Sequence, residues 1–208
     1  ALVGAEPAWV VFTSGGTEAN NLALRVLPKR APILCSAVEH ASVLSVMDGI
    51  VEIPVDGDGV VDLGALEALL AGEDTPALVS VMLANNETGV VNPVPEGAAL
   101  VAERAPDAVV HTDAVQATAW LDLAGACRGA HLVSITGHKF GGPKGAGALV
   151  LRDGATVAPM LRGGGQERER RSGTQNVPAI VGLGVAATLV AADREVTAAR
   201  IGTLRDRL

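Results

Sequence analysis

A three-layer α/β sandwich, with helices on both faces of a mainly parallel seven-stranded sheet, is the fold class this sequence predicts. Three observations predict it. Short β-rich runs recur at residues 9–12, 33–37, 50–54, 78–83, 109–112, 132–135 and 148–151. Between most of them lie helical patterns at residues 17–27, 42–48, 62–71 and 95–104, which is the β-then-α alternation of a parallel sheet with right-handed crossovers. The strand runs are apolar throughout rather than alternating, as expected when helices cover both sides.

Composition narrows the class further. A chain of 208 residues is long enough to bury one continuous core. Hydrophobic residues at 49% against 19% charged exclude a disordered chain, and 25 Gly with 11 Pro supply turns between short elements. Aromatics are only 2%, so the core must be built from Ala, Val and Leu contacts between sheet and helices. A formal charge of −7 argues against a nucleic-acid surface, which needs clustered Lys and Arg. The uncharged run 177–192 contains Pro178, Gly182 and Gly184 and falls short of the ~18 apolar residues of a membrane span, so a buried helix is expected there. Cys35 and Cys127 offer no disulfide framework and no secretory signal pattern opens the chain, which points to the cytoplasm.

After residue 151 the pattern changes. A Gly- and Arg-rich stretch at 162–173, its positive charge blunted by Glu167 and Glu169, precedes a helical segment at 178–191 and a charged helix at 193–208. The chain opens without Met and ends inside a helical pattern, so further segments are expected on both sides of it.

Chemistry-bearing residues collect where strands end, the edge at which an open α/β sheet places its ligands. Thr13-Ser14-Gly15-Gly16-Thr17-Glu18 joins a strand to a helix, and its free N–H groups suit a phosphate. Most such turns merely cap a helix. Glu39-His40 follows the second strand, where an imidazole can lie on a flat ring or carry a proton, or simply sit at the surface. Asn85-Asn86-Glu87-Thr88-Gly89 offers amides beside a sharp turn. His111-Thr112-Asp113-Ala114-Val115-Gln116 brings a carboxylate to the same edge; it suits a pyridinium nitrogen, and a helix N-cap equally. Ser134-Ile135-Thr136-Gly137-His138-Lys139 followed by Phe140-Gly141-Gly142-Pro143-Lys144-Gly145 sets a lysine between a strand and a turn whose glycines permit close backbone approach to a ligand.

In this order and approximate spacing, Ser-Gly-Gly-Thr-Glu, Glu-His, Asn-Asn-Glu-Thr-Gly, His-Thr-Asp-Ala-Val-Gln, Gly-His-Lys and Arg-Ser-Gly-Thr resemble the cysteine desulfurases. These belong to the class V aminotransferase group of fold-type I pyridoxal-phosphate enzymes, and the resemblance runs from Trp9 to Ala191. It implies an aspartate-aminotransferase-like large domain over residues 1–191, with residues 192–208 as an exit helix toward a C-terminal small domain. The implied cofactor is pyridoxal 5'-phosphate, with no metal. Lys139 would condense with its aldehyde, which needs an amine that has lost its proton in a desolvated site beside cations. Asp113 would pair with the pyridinium nitrogen, and His40 would stack on the ring and shuttle protons. Gln116 and Asn86 would bond the phenolic oxygen, Asn86 also lying near the substrate carboxylate. Gly16, Thr17, Thr136 and His138 would hold the phosphate; Thr136 replaces a serine common in the family and keeps its hydroxyl. Thr174 would reach the phosphate held by a partner subunit, making a homodimer part of the function.

The implied reaction removes sulfur from L-cysteine as a persulfide and leaves L-alanine, for iron–sulfur cluster or thio-cofactor synthesis with a sulfur-acceptor or scaffold protein. Selenocysteine lyase or another class V lyase or aminotransferase would share the cofactor residues, and a non-catalytic scaffold of the same fold is the reading from a different class. The family's nucleophilic cysteine and carboxylate-binding arginine come after the region present here. Cys35 and Cys127 read as small core or loop residues.

Overall fold

The structure is a computed structural model that describes residues 2–25, 31–152 and 154–207. Its strands are β1 (Val10–Thr13), β2 (Ile33–Ser36), β3 (Ile50–Ile53), β4 (Leu78–Ser80), β5 (Val109–Asp113), β6 (Leu132–Thr136) and β7 (Gly147–Leu151). They form one sheet in the order β1-β7-β6-β5-β4-β2-β3. The pairs from β3 across to β6 are parallel, and β7 runs antiparallel to both β6 and β1. Every predicted strand is present. The largest shift is in β4, which ends at Ser80 because beyond it only Val81 and Leu83 donate to β5 carbonyls, at 3.1 and 3.0 Å.

Among the described residues six α-helices complete the sandwich: α1 (Gly16–Leu24), α2 (Ala41–Leu44), α3 (Leu63–Leu70), α4 (Val94–Arg104), α5 (Leu123–Ala126) and α6 (Val177–Arg205). Residues 26 and 27, expected to end the first helix, lie outside the described residues. Local chemistry sets the starts. Asp62 accepts from Gly64 and Ala65 N–H at 2.8 and 3.0 Å to begin α3, and Asn176 accepts from Ala179 N–H at 3.2 Å to begin α6 with Pro178 in its first turn. α5 was not foreseen, since four residues are too short to show a helical period.

The core lies in two layers divided by the sheet, because successive strand residues face opposite ways. Leu78, Leu132 and Leu149 pack with Leu22 and Val43 under α1 and α2. Their neighbours Val79, Val133 and Val150 pack with Leu66 and Val101 under α3 and α4. On the α1 side each central strand begins apolar and ends polar: Leu78 leads to Ser80, Val109 to His111 and Asp113, and Leu132 to Ser134 and Thr136. That gradient places the polar groups at the carboxyl edge of the sheet.

α6 corrects two expectations. It is one continuous helix of 29 residues rather than two, because no Gly or Pro interrupts Ala192-Asp193. Nor is its apolar half buried. Ala179, Leu183 and Ala186 pack inward, while Val177, Val181, Val185 and Leu189 are 56% to 60% exposed. By length and composition alone α6 also passes for a membrane span, though only 17% of the relevant window is buried in the protein.

Gly147 opens β7 where the Gly15-Gly16 turn crosses the sheet. A Cβ there would sit 2.8 Å from Gly15 Cα and C and 2.9 Å from Ile135 O, closer than packed atoms tolerate. Gly147→Ala is therefore expected to lower unfolding free energy by about 1–3 kcal/mol, measured by urea denaturation.

Candidate active site

A cavity of about 250 Å³ opens at the carboxyl edge of the sheet, beside the first turn of α1. Nine of the ten side chains expected at the site line it. Gly16 and Thr17 come from α1, His40 precedes α2, Asn86 follows β4, and Asp113 and Gln116 end and follow β5. Thr136 ends β6, and His138 and Lys139 lie on the 3₁₀ turn Gly137–Lys139 after it. Thr174 is the exception: it is exposed and does not line the cavity.

Asp113 is the most constrained of these groups. Its carboxylate accepts from Val115 N–H at 2.9 Å through one oxygen and from Asn20 Nδ2 at 2.6 Å through the other. Burial pushes its pKa up, while those two bonds and the charges of His40 and Lys139 pull the other way. Asn20 Nδ2 also donates to Ser42 Oγ at 2.8 Å, and Ser42 Oγ lies 2.9 Å from His40 Nδ1. Since His40 Nδ1 accepts from Ser42 N–H at 3.0 Å, the proton of the neutral ring belongs on Nε2. One connected path thus links His40 to Asp113.

Asn20, Ser42, Met82 and Val115 also line the cavity and escaped the sequence reading. Asn20 left one trace: it is a polar residue, 1% exposed, among the buried Ala19, Leu22, Ala23 and Leu24 of α1. Two lining acceptors, Asn20 Oδ1 and Gln116 Oε1, are buried without a partner among the described residues. An unmet buried acceptor costs about 1–3 kcal/mol, so both call for a donor from an occupant.

The other end of the cavity suits an anion. Gly15, which precedes α1, has no side chain to satisfy the first-turn N–H groups, and Thr136 Oγ1 stands 3.2 Å from His138 Nδ1 beside them. An adjoining groove is bordered by His138 and Lys144. A flat ring with an acidic-side nitrogen and a phosphate tail therefore fits these donors and acceptors. Lys139 itself is exposed in this chain, so the desolvated surroundings expected for it are not supplied by the described residues.

The segment after β7 is tied down from both sides. Arg171 grips Glu18 through Nε at 2.7 Å and Nη2 at 3.2 Å, and with Ser14 N–H it outweighs the effect of burial and holds the Glu18 carboxyl below its usual range. Glu167 accepts from Phe12 N–H on the open edge of β1 at 2.9 Å. Glu167, Arg168 and Glu169 all have φ between 48° and 65°, a conformation that side chains rarely adopt. Cys35 and Cys127 are buried, and burial pushes the Cys127 thiol up to about 12 and that of Cys35 higher still.

The profile of one protein family, described as aminotransferase class-V, matches residues 1–207. The chain belongs to that family. It is 48% identical to a cysteine desulfurase of Cereibacter sphaeroides, covering 100% of this chain and 55% of the relative. Against the IscS-like cysteine desulfurase of Mycobacterium tuberculosis it is 41% identical, over 99% of this chain and 56% of the relative. A solved NifS-like protein superposes with a TM-score of 0.92 at 38% identity, over 99% of this chain and 59% of that one. The chain thus spans a little over half the length of the relatives it matches.

Asn20→Ala removes the donor from Asp113 Oδ2 inside a buried network. The expected cost at pH 8 is about 1.5–3 kcal/mol in unfolding free energy, the usual worth of a bond to a charged group.

Proposed function

We propose that this chain is the cofactor-binding part of a pyridoxal-phosphate-dependent cysteine desulfurase, which takes sulfur from L-cysteine and leaves L-alanine. The observation that carries the reading is the meeting of Lys139 and Asp113 on one cavity, reached from adjacent strands β5 and β6. The family membership and the similarity to cysteine desulfurases support it. When bound, pyridoxal phosphate supplies the electron sink for a carbanion at the substrate Cα.

The chain's own residues do the rest. Lys139 Nζ would hold the cofactor through its aldehyde carbon and would be the base for the proton at the substrate Cα. Asp113 would keep the ring nitrogen protonated, and its two fixed hydrogen bonds leave the carboxylate no freedom to turn away. His40 would face the ring and can carry a proton on Nε2, and Gln116 and Asn86 would bond the phenolic oxygen. Gly16, Thr17, Thr136 and His138 bind the phosphate against the α1 dipole. Thr174 completes the phosphate site of a second copy, which is why it stands exposed here, and the Glu18–Arg171 pair fixes the segment that presents it.

The same proposal takes residues 1–191 as a cofactor-binding domain and residues 192–208, which continue the single helix α6 past its apolar half, as an exit segment toward a further domain. It includes a sulfur-accepting partner and a reducing cytoplasm, the latter on the strength of two free buried thiols.

The full-length protein loaded with the cofactor is expected to show a visible absorbance band that disappears in Lys139→Ala; an unchanged spectrum would remove the reading. Added L-cysteine should yield sulfide and alanine. In Asp113→Ala, cofactor should remain bound while turnover falls by roughly 10²-fold, and near-normal turnover would contradict the role given to that carboxylate.

A further inference from the structure

Glu39 brings a second buried carboxyl to the same face of the sheet, and the cavity does not use it. Glu39 Oε1 lies 3.1 Å from Ser80 Oγ, Ser80 Oγ lies 2.9 Å from His111 Nδ1, and His111 Nε2 lies 3.0 Å from Ser134 Oγ. Ser80, His111 and Ser134 have no exposed surface. The path crosses β4, β5 and β6, one residue pair behind Asp113.

Such a path can be polarised in two directions. With Glu39 ionised, Ser80 donates to it, His111 donates from Nδ1 to Ser80, and Ser134 donates to Nε2. With a proton on Oε1, Glu39 donates to Ser80, Ser80 donates to Nδ1, and His111 donates from Nε2 to Ser134. The ring is neutral either way, since burial pushes its pKa down to about 3.

The surroundings choose between the two. Asp113 has two N–H donors on its oxygens and feels His40 and Lys139. Glu39 has Oε2 buried without a partner among the described residues. The groups that face it are the Asp113 carboxylate and neutral His111 on β5, the Cys35 thiol on β2 and the Met82 main-chain N–H, which alone of these besides Ser80 favours the anion. Two carboxyls in one dry region with unequal support divide into an anion and an acid. An unpartnered neutral carbonyl also costs less than an unpartnered anion.

We propose that Glu39 is a positioning residue held as a neutral acid, which fixes His111 with its proton on Nε2 and leaves Asp113 as the single buried anion behind the ring nitrogen. The consequence for the ring rests on the proposed function; the proton on Glu39 does not.

The test reads that proton in the full-length protein, with and without cofactor. Infrared difference spectra of wild type against Glu39→Gln at pH 7 should show the C=O stretch of a protonated carboxyl, shifted in heavy water. With ¹⁵N-labelled histidine, His111, assigned through His111→Asn, should carry its proton on Nε2 at pH 7 and move toward Nδ1 as the pH passes about 8, where burial beside Asp113 sets the Glu39 pKa. Between about pH 4.5 and about 8 the folded protein keeps a proton that the unfolded chain loses, so wild type weakens with rising pH and the melting temperature of Glu39→Gln should gain on it across that window. Absence of the acid band together with a proton on His111 Nδ1 at pH 7 would overturn the inference; if Glu39→Gln does not fold, the His111 signal in wild type, from a ring that stays neutral at pH 5, decides by itself, and a proton on Nδ1 overturns the inference. Cofactor binding is followed separately by the Lys139-dependent absorbance, so failure of the proposed function and failure of this inference give different results.

Discussion

Asp113 carries a carboxylate to the end of β5 at 4% exposure, and much of the surrounding architecture answers the cost of keeping a charge there. Val115 N–H and Asn20 Nδ2 each hold one of its oxygens, and Asn20 reaches it only because α1 packs across β6 and β7. That packing in turn needs glycine at 147, where the turn before α1 touches the sheet. The same turn sets the N–H groups of α1 at the opposite end of the cavity. One close approach of backbone to sheet therefore places both the Asp113 carboxylate and the free N–H groups of α1 at their two ends of the cavity.

The strands divide their labour along their length. Leu78, Val109 and Leu132 seal the α1-side core at the start of β4, β5 and β6, and Ser80, His111, Asp113 and Ser134 bring hydrogen-bonding groups to the finish. A polar group near the carboxyl edge is thus backed by apolar packing on one side and by other polar side chains on neighbouring strands. This lets a histidine and two carboxyls stay in the interior with most of their atoms partnered. It also ties the electrostatics of the cavity to residues that never touch it.

Much of this was legible in the residues because buried parallel strands read as continuous apolar runs and because the functional groups sit in short motifs at strand ends. His40, Asp113 and Lys139 converge for that reason. Asn20 and Ser42 were harder to see: each lines the cavity from within a helix and is held there by partners on other elements, which no local motif reveals. The exposure of Val181, Val185 and Leu189 was not legible, since an apolar helix face looks the same in sequence whether or not this chain's own sheet covers it. The single long helix α6 was split in expectation at the change from apolar to charged residues, yet helices tolerate such a change and end only at a conformational break. Thr174 lies away from the cavity for a related reason, being held by Arg171 and Glu18 on a segment that faces outward.

The proposed function requires an ionised Asp113 facing a ring nitrogen. Pyridoxal phosphate labelled with ¹⁵N in the ring, bound to the full-length protein, reports that proton directly by nuclear magnetic resonance. A protonated ring nitrogen at pH 8 in wild type that becomes unprotonated in Asp113→Asn is the result this structure predicts; the same ¹⁵N shift in both proteins would contradict it.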